Sequence, residues 1–333
     1  MPSQVAGAPR VVLLLLDGLG WNQLQAHASH MPTLSSFSGG PITSIAPSTT
    51  ATALTSLVTG LSPGEHGLIG YRVDMGSTVM NVLRWGDENG DLRRTFPPET
   101  TQPCPPFLGL SVPVLSKAEL EGSGFTQAHL NGVKHMGWRA SSSIPVLIRT
   151  ALDAGEQFVY AYYDGVDKIA HERGFGDYYN AELQHADRLV ADIVALLPAD
   201  TVLLVTADHG QVHVGDNTII PSATVMSHVA RQSGEGRFRW LHAQRGREGA
   251  LLDAAQEYND VAWVVTRDQV LDEQWFGPRV SEPIARRMGD VALVAHAPVS
   301  FEEPLDGGAF DLVCRHGSLT EDEMLVPLLA HAT

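Results

Sequence analysis

Three short apolar segments lead into acidic residues, and this pattern constrains the fold more than any other feature of the sequence. They are residues 11–16 before Asp17, 158–163 before Asp164, and 202–205 shortly before Asp208. Short, continuously apolar runs are typical of strands buried on both faces of a parallel sheet. In open α/β sheets, ligands bind just beyond the carboxyl ends of such strands. The pattern therefore predicts a parallel sheet with polar side chains gathered at one edge.

Two pairs of side chains offer atoms that bind metal ions. Asp208 and His209 stand side by side and supply an oxygen and a nitrogen, the donors that zinc or a similar ion accepts. Asp167 and His171 are four residues apart, so on a helix both would lie on one face and could bind one ion. If Asp167 and His171 are considered alone, the simpler explanation is that they form an exposed pair on a helix.

Two further residues complete a candidate metal site. Asp17 precedes a glycine and, taken alone, could cap a helix. His316 lies in a Cys-Arg-His-Gly turn, where a histidine is usually unliganded. The joint occurrence of acids and imidazoles at strand ends and glycine turns favours one metal site over independent accidents. Together with a hydroxyl nucleophile, these residues suffice for a two-ion phosphoryl-transfer arrangement.

The charge balance limits the kinds of partner. Acidic residues outnumber basic ones by 38 to 22, which gives a formal net charge of −16. A nucleic-acid polymer or an anionic membrane surface is therefore not an expected partner. A small phosphate ester is compatible with this charge, because bound divalent cations reverse the potential locally. The two cysteines, Cys104 and Cys314, do not suggest a disulfide framework.

The N-terminal segment does not resemble an export signal. Residues 1–10 lack a basic region followed by a long apolar stretch, and the apolar run 11–16 is too short for a signal core or a membrane span. We therefore expect cytoplasmic residence. The sequence does not fix the oligomeric state.

Strand and helix patterns alternate along the chain, as in proteins with helices on both faces of a mostly parallel sheet. Helices are predicted at 32–37, at 51–58 directly after Thr50, and at 177–197. A segment rich in glycine, proline and polar residues, about 72–140, and a second segment, about 212–297, are predicted as insertions. The second contains strand patterns and one helix pattern, near 238–242, 261–266 and 291–296 for the strands and 248–258 for the helix.

Five motifs occur in a fixed order along the core. They are Leu16-Asp17-Gly18, Pro47-Ser48-Thr49-Thr50 with residues 58–67, residues 163–171, Ala207-Asp208-His209-Gly210, and His316-Gly317 with residues 323–327. In kind and order they resemble the type I phosphodiesterase / nucleotide pyrophosphatase family of the alkaline phosphatase superfamily. The resemblance implies one catalytic domain over residues 1–333, an alkaline-phosphatase-like three-layer α/β sandwich whose mostly parallel central sheet is flanked by helices.

The resemblance also implies a role for each residue of the site. The implied ligands are Asp167, His171 and His316 for one zinc ion, and Asp17, Asp208 and His209 for a second, with the hydroxyl of the nucleophile as a further ligand. The nucleophile is implied to be Thr50, which lies eight residues before Val58 as in the family, and Thr49 stays the alternative. A coordinated cation lowers the pKa of a hydroxyl, which makes a threonine a competent nucleophile.

The activity implied is metal-dependent hydrolysis of a phosphodiester or pyrophosphate bond through a threonyl-phosphate intermediate, with two divalent ions, most simply Zn²⁺. A phosphomonoesterase or a phosphonate hydrolase could use the same frame, because pocket residues decide that choice. A zinc-stabilised binding module without activity is the non-enzymatic alternative. A sulfatase is disfavoured, since the sequence contains no Cys-x-Pro-x-Arg motif.

Two positions depart from the nucleotide-cleaving members of the family. Those members have an aromatic residue after the nucleophile, where this chain has Ala51. They also have an asparagine five residues beyond the histidine of the His-Gly pair, where this chain has Tyr71 followed by Arg72. Either residue could donate to a phosphoryl oxygen. The departures weaken the expectation of a nucleotide substrate more than the expectation of phosphoryl transfer.

Four other residues are weighed as site candidates. His66 is expected to be structural, His213 to lie on a solvated loop, and Cys314 to be a small buried residue. Asp164 lies near the site and could orient a ligand histidine.

Overall fold

Strands and helices alternate along the chain in the computed structural model, which describes residues 5–303 and 312–333. The strands are, in chain order, β1 (Arg10–Leu16), β2 (Ser38–Thr43), β3 (Arg72–Asp74), β4 (Val79–Asn81), β5 (Gly86–Asp87), β6 (Gly90–Asp91), β7 (Pro113–Lys117), β8 (Lys134–Trp138), β9 (Phe158–Tyr163), β10 (Thr201–Thr206), β11 (Val212–His213), β12 (Thr218–Ile219), β13 (Val229–Glu235), β14 (Phe238–Ala243), β15 (Ala262–Thr266), β16 (Val291–Ala295), β17 (Ser300–Phe301), β18 (Cys314–Arg315) and β19 (Leu325–Ala332). The α-helices are α1 (Trp21–Ala26), α2 (Pro32–Ser35), α3 (Thr50–Thr59), α4 (Pro63–His66), α5 (Pro98–Thr101), α6 (Gly124–His129), α7 (Ile144–Asp153), α8 (Gly165–Arg173), α9 (Asp177–Leu196), α10 (Ala223–Met226), α11 (Glu248–Ala255), α12 (Arg267–Asp272), α13 (Glu282–Ala285) and α14 (Glu321–Met324). Short 3₁₀ turns lie at Ala28–His30, Pro106–Gly109, Ala118–Leu120, Ser141–Ser143 and Gln256–Tyr258.

Seven strands form one central sheet in the order β2-β19-β10-β1-β9-β7-β8. Strands β10, β1, β9, β7 and β8 are parallel, while β19 runs antiparallel to β10 and β2 antiparallel to β19. Parallel neighbours need long crossover connections, which place helices on the faces of the sheet. The predicted α/β class with a mostly parallel central sheet is confirmed, with an antiparallel extension at one edge.

Successive side chains of β1 point to opposite faces of this sheet and contribute to a hydrophobic core on each face. Leu14 and Leu16 belong to the core shared with α7 and α9, whereas Leu15 belongs to the core shared with α3 and α6. On α9 the buried residues recur every three or four positions from Leu183 to Ile193, so one stripe of the helix faces the sheet. Helices, sheet and helices therefore form three layers.

The segment predicted as a first insertion, about 72–140, divides between two sheets. Strands β3 to β6 form a separate four-stranded sheet, but β7 and β8 are outer strands of the central sheet beside β9. Prolines and glycines around β7 hide the strand pattern in the sequence, although β7 is a five-residue strand with four buried residues. Strand β8 is an edge strand with a single buried residue. Such short strands owe their burial to the whole sheet, which their local sequence does not reveal.

The segment of about 212–297 contains the three expected strands and the expected helix. Its strands pair antiparallel in the order β13-β14-β16-β15. Arg237, in the turn between β13 and β14, forms an ion pair with Glu323 of α14, with Nε 2.7 Å from Oε1 and both side chains fully buried. This pair fixes the four-stranded sheet to the core.

The carboxyl ends of β1, β9 and β10 meet at one edge of the central sheet, because these strands are parallel neighbours. Asp17 and Asp164 directly follow the first two strands, and Asp208 lies two residues beyond the third. The polar side chains expected at this edge are therefore brought together by strand order alone. Within residues 5–303 and 312–333, no helix combines the length and the hydropathy needed to cross a bilayer.

Candidate metal centre and active site

Asp17 and Asp208 lie next to each other because the parallel strands β1 and β10 end at the same level. Oδ1 of Asp208 accepts hydrogen bonds of 3.1 Å from the backbone N–H groups of Gly18 and His209. Nε2 of His209 lies 3.4 Å from Oδ1 of Asp17 and 3.4 Å from Oδ2 of Asp208. Three potential ligand atoms thus converge at this corner of the sheet.

Asp167 and His171 lie on one face of α8, with Oδ1 and Nε2 3.2 Å apart. His316 approaches the same carboxylate, with its Nε2 3.9 Å from Oδ1 of Asp167. The ring of His316 stacks on that of His209, with centroids 3.4 Å apart and 10° between the planes. This stacked pair connects the two groups, so the six residues expected as ligands form one cluster.

The three histidines of the cluster share one hydrogen-bond arrangement. Their Nδ1 atoms contact backbone carbonyl oxygens, namely those of Cys314 for His171 at 2.6 Å, Gly210 for His209 at 3.0 Å and Ser48 for His316 at 2.8 Å. Because a carbonyl oxygen only accepts, each Nδ1 carries the proton. The lone pair is then on Nε2, the atom that points into the cluster and can bind a metal ion.

Two carboxylate oxygens of the cluster are buried without a hydrogen-bond donor among the described residues. They are Oδ1 of Asp17 and Oδ2 of Asp208. A buried carboxylate oxygen without a partner is costly, and a cation would compensate it. Carboxylate oxygens and imidazole nitrogens are also the donors that zinc takes in proteins. The residues present therefore fit bound metal ions.

The ligand atoms fall into two groups that share Asp167. Within each group the atoms lie within 4.8 Å of one another, and the groups are Asp167, His171 and His316, and Asp17, Asp167 and His209. The family resemblance assigned Asp167 to one ion, whereas the structure places it within reach of both groups. Asp208 contributes its free oxygen beside His209, as described above.

Burial shifts the pKa values of two residues of the cluster, Asp17 and His316, in opposite directions. Burial, and then the charges of Asp208 and Asp167, raise the pKa of Asp17 well above its usual value. Burial and the neighbouring imidazoles His209 and His171 hold the pKa of His316 well below its usual value. A bound cation favours ionised carboxylates and neutral imidazoles, which are the forms that ligate metals.

Thr50 begins α3 and places its hydroxyl against the cluster. Its Oγ1 lies 3.1 Å from Nε2 of His209. Thr49 is the N-cap residue, with a carbonyl that accepts from the N–H of Ala53 at 2.9 Å and a side chain that makes no capping hydrogen bond. The first backbone N–H groups of a helix have no acceptor within it and favour anions. The hydroxyl of Thr50 therefore lies between the ligand cluster and a helix terminus that could bind an anion.

Ser48 links the Thr50 segment to the turn that carries His316. Its Oγ donates to the carbonyl of Ser318 at 2.6 Å and accepts from the N–H of Gly317 at 3.2 Å. Gly317 has a φ of 125°, and a Cβ there would lie 2.6 Å from Cδ of Glu235. Only glycine fits this turn, which brings two segments far apart in the sequence to the same site.

Two residues that contact the carboxylates are missing from the set expected from the sequence. The phenol of Tyr162 donates to Oδ2 of Asp17. The amide of Gln211 donates to Oδ1 of Asp167 at 2.6 Å. Both had a signal in the sequence, because Tyr162 is a polar-ended residue near the end of a buried strand and Gln211 directly follows the Asp-His-Gly motif.

Tyr71 and Arg72 line cavities beside the small sheet of β3 to β6. Arg72 lines a cavity of about 380 Å³ together with Arg231 and Glu88, and Tyr71 lines a neighbouring one of about 340 Å³. None of the seven residues expected as ligands or nucleophile lines either cavity. A contact of Tyr71 or Arg72 with the phosphoryl group stays a prediction.

Asp164 and His66 have other partners than the metal cluster. The carboxylate of Asp164 forms ion pairs with Lys117 at 2.9 Å and Lys168 at 2.6 Å, and orientation of a ligand histidine by Asp164 stays a prediction. His66 is buried, and its Nε2 lies 2.9 Å from the hydroxyl of Ser56. Burial lowers the pKa of His66 to about 3, consistent with a neutral, structural side chain.

Gly18→Ala should distort the metal centre. Gly18 has a φ of 74°, and a Cβ there would lie 2.9 Å from both Cα and Cβ of Asp167. We expect a loss of about 1–3 kcal/mol from the backbone conformation and a roughly tenfold or greater loss of zinc affinity from the displaced ligand. Denaturation and zinc titration measure the two effects.

Gly60→Ala is the matched control for this substitution. Gly60 has a φ of 69°, but a Cβ there would meet nothing within 4 Å. Gly60→Ala should therefore reproduce the backbone cost without the change in zinc affinity. Equal zinc affinity in the two variants would contradict the steric argument.

Solved structures with this architecture include ectonucleotide pyrophosphatases/phosphodiesterases. Murine ectonucleotide pyrophosphatase/phosphodiesterase 5, an inactive form in complex with AMP, matches with a TM-score of 0.74 and 14% sequence identity over 97% of this chain and 88% of that chain. The human protein matches with a TM-score of 0.73, 14% identity and the same coverage. The chain therefore has an alkaline-phosphatase-like fold.

The sequence itself matches a family profile over most of its length. The matched residues are 11–151 and 131–318, and the profile is that of type I phosphodiesterase / nucleotide pyrophosphatase. No curated protein matches the chain in sequence. With its fold and clustered ligands, the protein is a hydrolase of the class that acts on phosphodiester bonds. It belongs to the type I phosphodiesterase / nucleotide pyrophosphatase family.

Proposed function

We propose that the protein hydrolyses a small phosphodiester or pyrophosphate through a phosphoryl group carried on Thr50, with two divalent cations, most simply Zn²⁺. The observation that carries this proposal is the contact of 3.1 Å between Oγ1 of Thr50 and Nε2 of His209. It joins a helix-terminal hydroxyl to a cluster of buried ligand atoms. Neither a structural helix cap nor a purely structural metal site explains that juxtaposition.

The ligands divide between the two ions as follows. One ion would be held by Asp167, His171 and His316, and the other by Asp17, Asp208 and His209 together with the hydroxyl of Thr50. When bound, such ions supply Lewis-acid stabilisation of phosphoryl charge and lower the pKa of a coordinated hydroxyl. Imidazole nitrogens in both sets favour zinc over magnesium.

The chemistry then rests on Thr50. Its hydroxyl proton passes to solvent, Oγ1 forms a bond to phosphorus, and the ester or anhydride bond from phosphorus to the leaving oxygen breaks. The leaving oxygen takes up a proton from solvent. The first-turn N–H groups of α3 bind the phosphoryl oxygens, since they have no acceptor in the helix. Water then attacks phosphorus, and the bond between phosphorus and Oγ1 breaks to restore the hydroxyl. Orientation by the fixed start of α3 supplies part of the rate enhancement.

The substrate proposed is a small phosphate ester. The inactive murine relative is in complex with AMP, a small nucleotide. In this chain the residue after Thr50 is Ala51, which is fully buried and offers no aromatic surface to a base. We therefore place the selectivity in the phosphoryl group and its two ester oxygens.

A preference for diesters is the direct test of this assignment. We expect kcat/KM for bis-p-nitrophenyl phosphate to exceed that for p-nitrophenyl phosphate by about tenfold, a difference of about 1.4 kcal/mol in the transition state. The reverse preference would make the protein a phosphomonoesterase on the same frame. Cleavage of a phosphonate alone would make it a phosphonate hydrolase.

Metal analysis tests the cofactor separately from the substrate. Two zinc ions per chain should be present in active protein, and activity should follow occupancy when a chelator removes them and zinc is returned. Full occupancy without hydrolysis of any ester would favour a zinc-stabilised binding module. Restoration by Mg²⁺ alone would contradict the zinc assignment.

A further inference from the structure

Tyr162 and Tyr163 are neighbours on β9 whose side chains lie on opposite faces of the central sheet. Because side chains alternate along a strand, Tyr162 packs against the core shared with α3, and Tyr163 against the core shared with α9. Each phenol donates a hydrogen bond to a carboxylate, Tyr162 to Asp17 and Tyr163 to Glu182. Of these two carboxylates, only Asp17 belongs to the ligand cluster.

The backbone of Asp17 is already fixed on both sides. Its N–H donates to the carbonyl of Tyr163 at 2.9 Å, and its carbonyl accepts from the N–H of Asp167 at 3.1 Å. These two backbone hydrogen bonds do not set the orientation of the side-chain carboxylate. The phenol of Tyr162 donates to Oδ2, and Oδ1 is the oxygen that faces His209.

The other oxygen of Asp17 is the one left for a metal ion. Oδ1 is buried without a hydrogen-bond donor among the described residues and lies 3.4 Å from Nε2 of His209. A phenol has one proton to donate, so it occupies one oxygen and leaves the other unprotected. Partners of this kind fix the orientation of metal-binding carboxylates.

We propose that Tyr162 is a positioning residue for the metal centre, which holds Oδ2 of Asp17 and thereby presents Oδ1 to the cation. The inference rests on the proposed function, because it takes the cluster to bind metal ions. A phenylalanine at this position would fill nearly the same volume, so packing alone does not require the hydroxyl. Without the hydroxyl, Oδ2 of Asp17 loses this hydrogen bond, and the orientation of the carboxylate is held less firmly.

The test compares Tyr162→Phe with Tyr163→Phe. Each substitution removes one phenol hydroxyl that donates to a carboxylate from the same strand, but only the first lies on the metal face. Zinc is removed from each full-length protein and returned by titration, with free zinc buffered. Tyr162→Phe should weaken one of the two zinc sites by about 10–100-fold, while Tyr163→Phe should leave both affinities unchanged.

Circular dichroism and the thermal midpoint, measured on the metal-free proteins, would check that both variants fold. Activity of Tyr162→Phe should be low at limiting zinc and recover at saturating zinc, a dependence that a merely structural role would not produce. Unchanged zinc affinity in Tyr162→Phe, or an equal loss in both variants, would overturn the inference while the proposed function stands. Failure of the wild-type protein to bind zinc would overturn both.

Discussion

Replacing Thr50 with alanine should lower kcat/KM for the best ester by roughly 10⁴-fold or more, because the substitution removes the proposed nucleophile. The hydroxyl lost is the one that lies 3.1 Å from Nε2 of His209. The fold should survive, since Thr49 is the N-cap residue and alanine is a strong helix former. Steady-state kinetics and the thermal midpoint of the variant measure these two expectations.

Thr49→Ala is the matched control, because it changes the adjacent buried threonine by the same atoms. Its carbonyl still accepts the first helical hydrogen bond from Ala53, so we expect activity within about tenfold of the wild type. Turnover that survives in Thr50→Ala and disappears in Thr49→Ala would move the nucleophile by one residue. Acid-quenched phosphoenzyme formed from labelled substrate should map to Thr50 in the wild-type protein.

Much of the site follows from local sequence patterns. Asp17 and Asp208 are predictable because each follows an apolar run that is typical of a buried strand, and β1 and β10 are indeed adjacent and parallel. Asp167 and His171 are predictable because four residues on α8 return to the same face. In each case the position of the side chain is set by helical spacing over a few residues or by the end of a parallel strand.

Other features depend on contacts that local patterns do not encode. Tyr162 meets Asp17 only because β9 pairs with β1 in one particular register. Gln211 reaches Asp167 across 44 positions of sequence. Strands β7 and β8 join the central sheet through pairing with β9, although their composition is that of an irregular segment. Strand register and order are set by the whole chain, and a single sequence gives no direct measure of them.

The ion pair of Arg237 and Glu323 also could not be predicted from the sequence. Arg237 lies in a Gly-Glu-Gly-Arg segment, and such charged turns are usually exposed. In the structure, its Nε and Nη2 donate to Glu323 at 2.7 and 2.8 Å, and its Nη1 donates to the carbonyl of Val299 at 2.8 Å. A turn of the four-stranded sheet is thereby buried against the core.

Replacing Arg237 with alanine should destabilise the protein by about 3–5 kcal/mol, because it leaves the carboxylate of Glu323 buried without its cation. Arg237→Lys should be intermediate, since lysine keeps the charge but loses the paired hydrogen bonds. Arg286→Ala is the control, because its ion pair with Glu282 is exposed and should contribute little. Denaturant unfolding of the three variants measures the differences. A loss in Arg237→Ala no larger than in Arg286→Ala would contradict the prediction.

The same ion pair also contacts the turn that carries His316, a residue of the candidate metal centre. Oε1 of Glu323 accepts from the N–H of Ser318 at 3.0 Å, and Oε2 accepts from the hydroxyl of Thr320 at 2.6 Å. Without Arg237, the carboxylate of Glu323 must find other donors or admit water. We expect either change to displace Ser318, which lies two residues from His316. Arg237→Ala should therefore bind zinc more weakly than the wild type even at temperatures where it remains folded, whereas Arg286→Ala should not. Lost stability with unchanged zinc affinity would mean that the hydrogen bond from His316 to Ser48 suffices to hold the ligand.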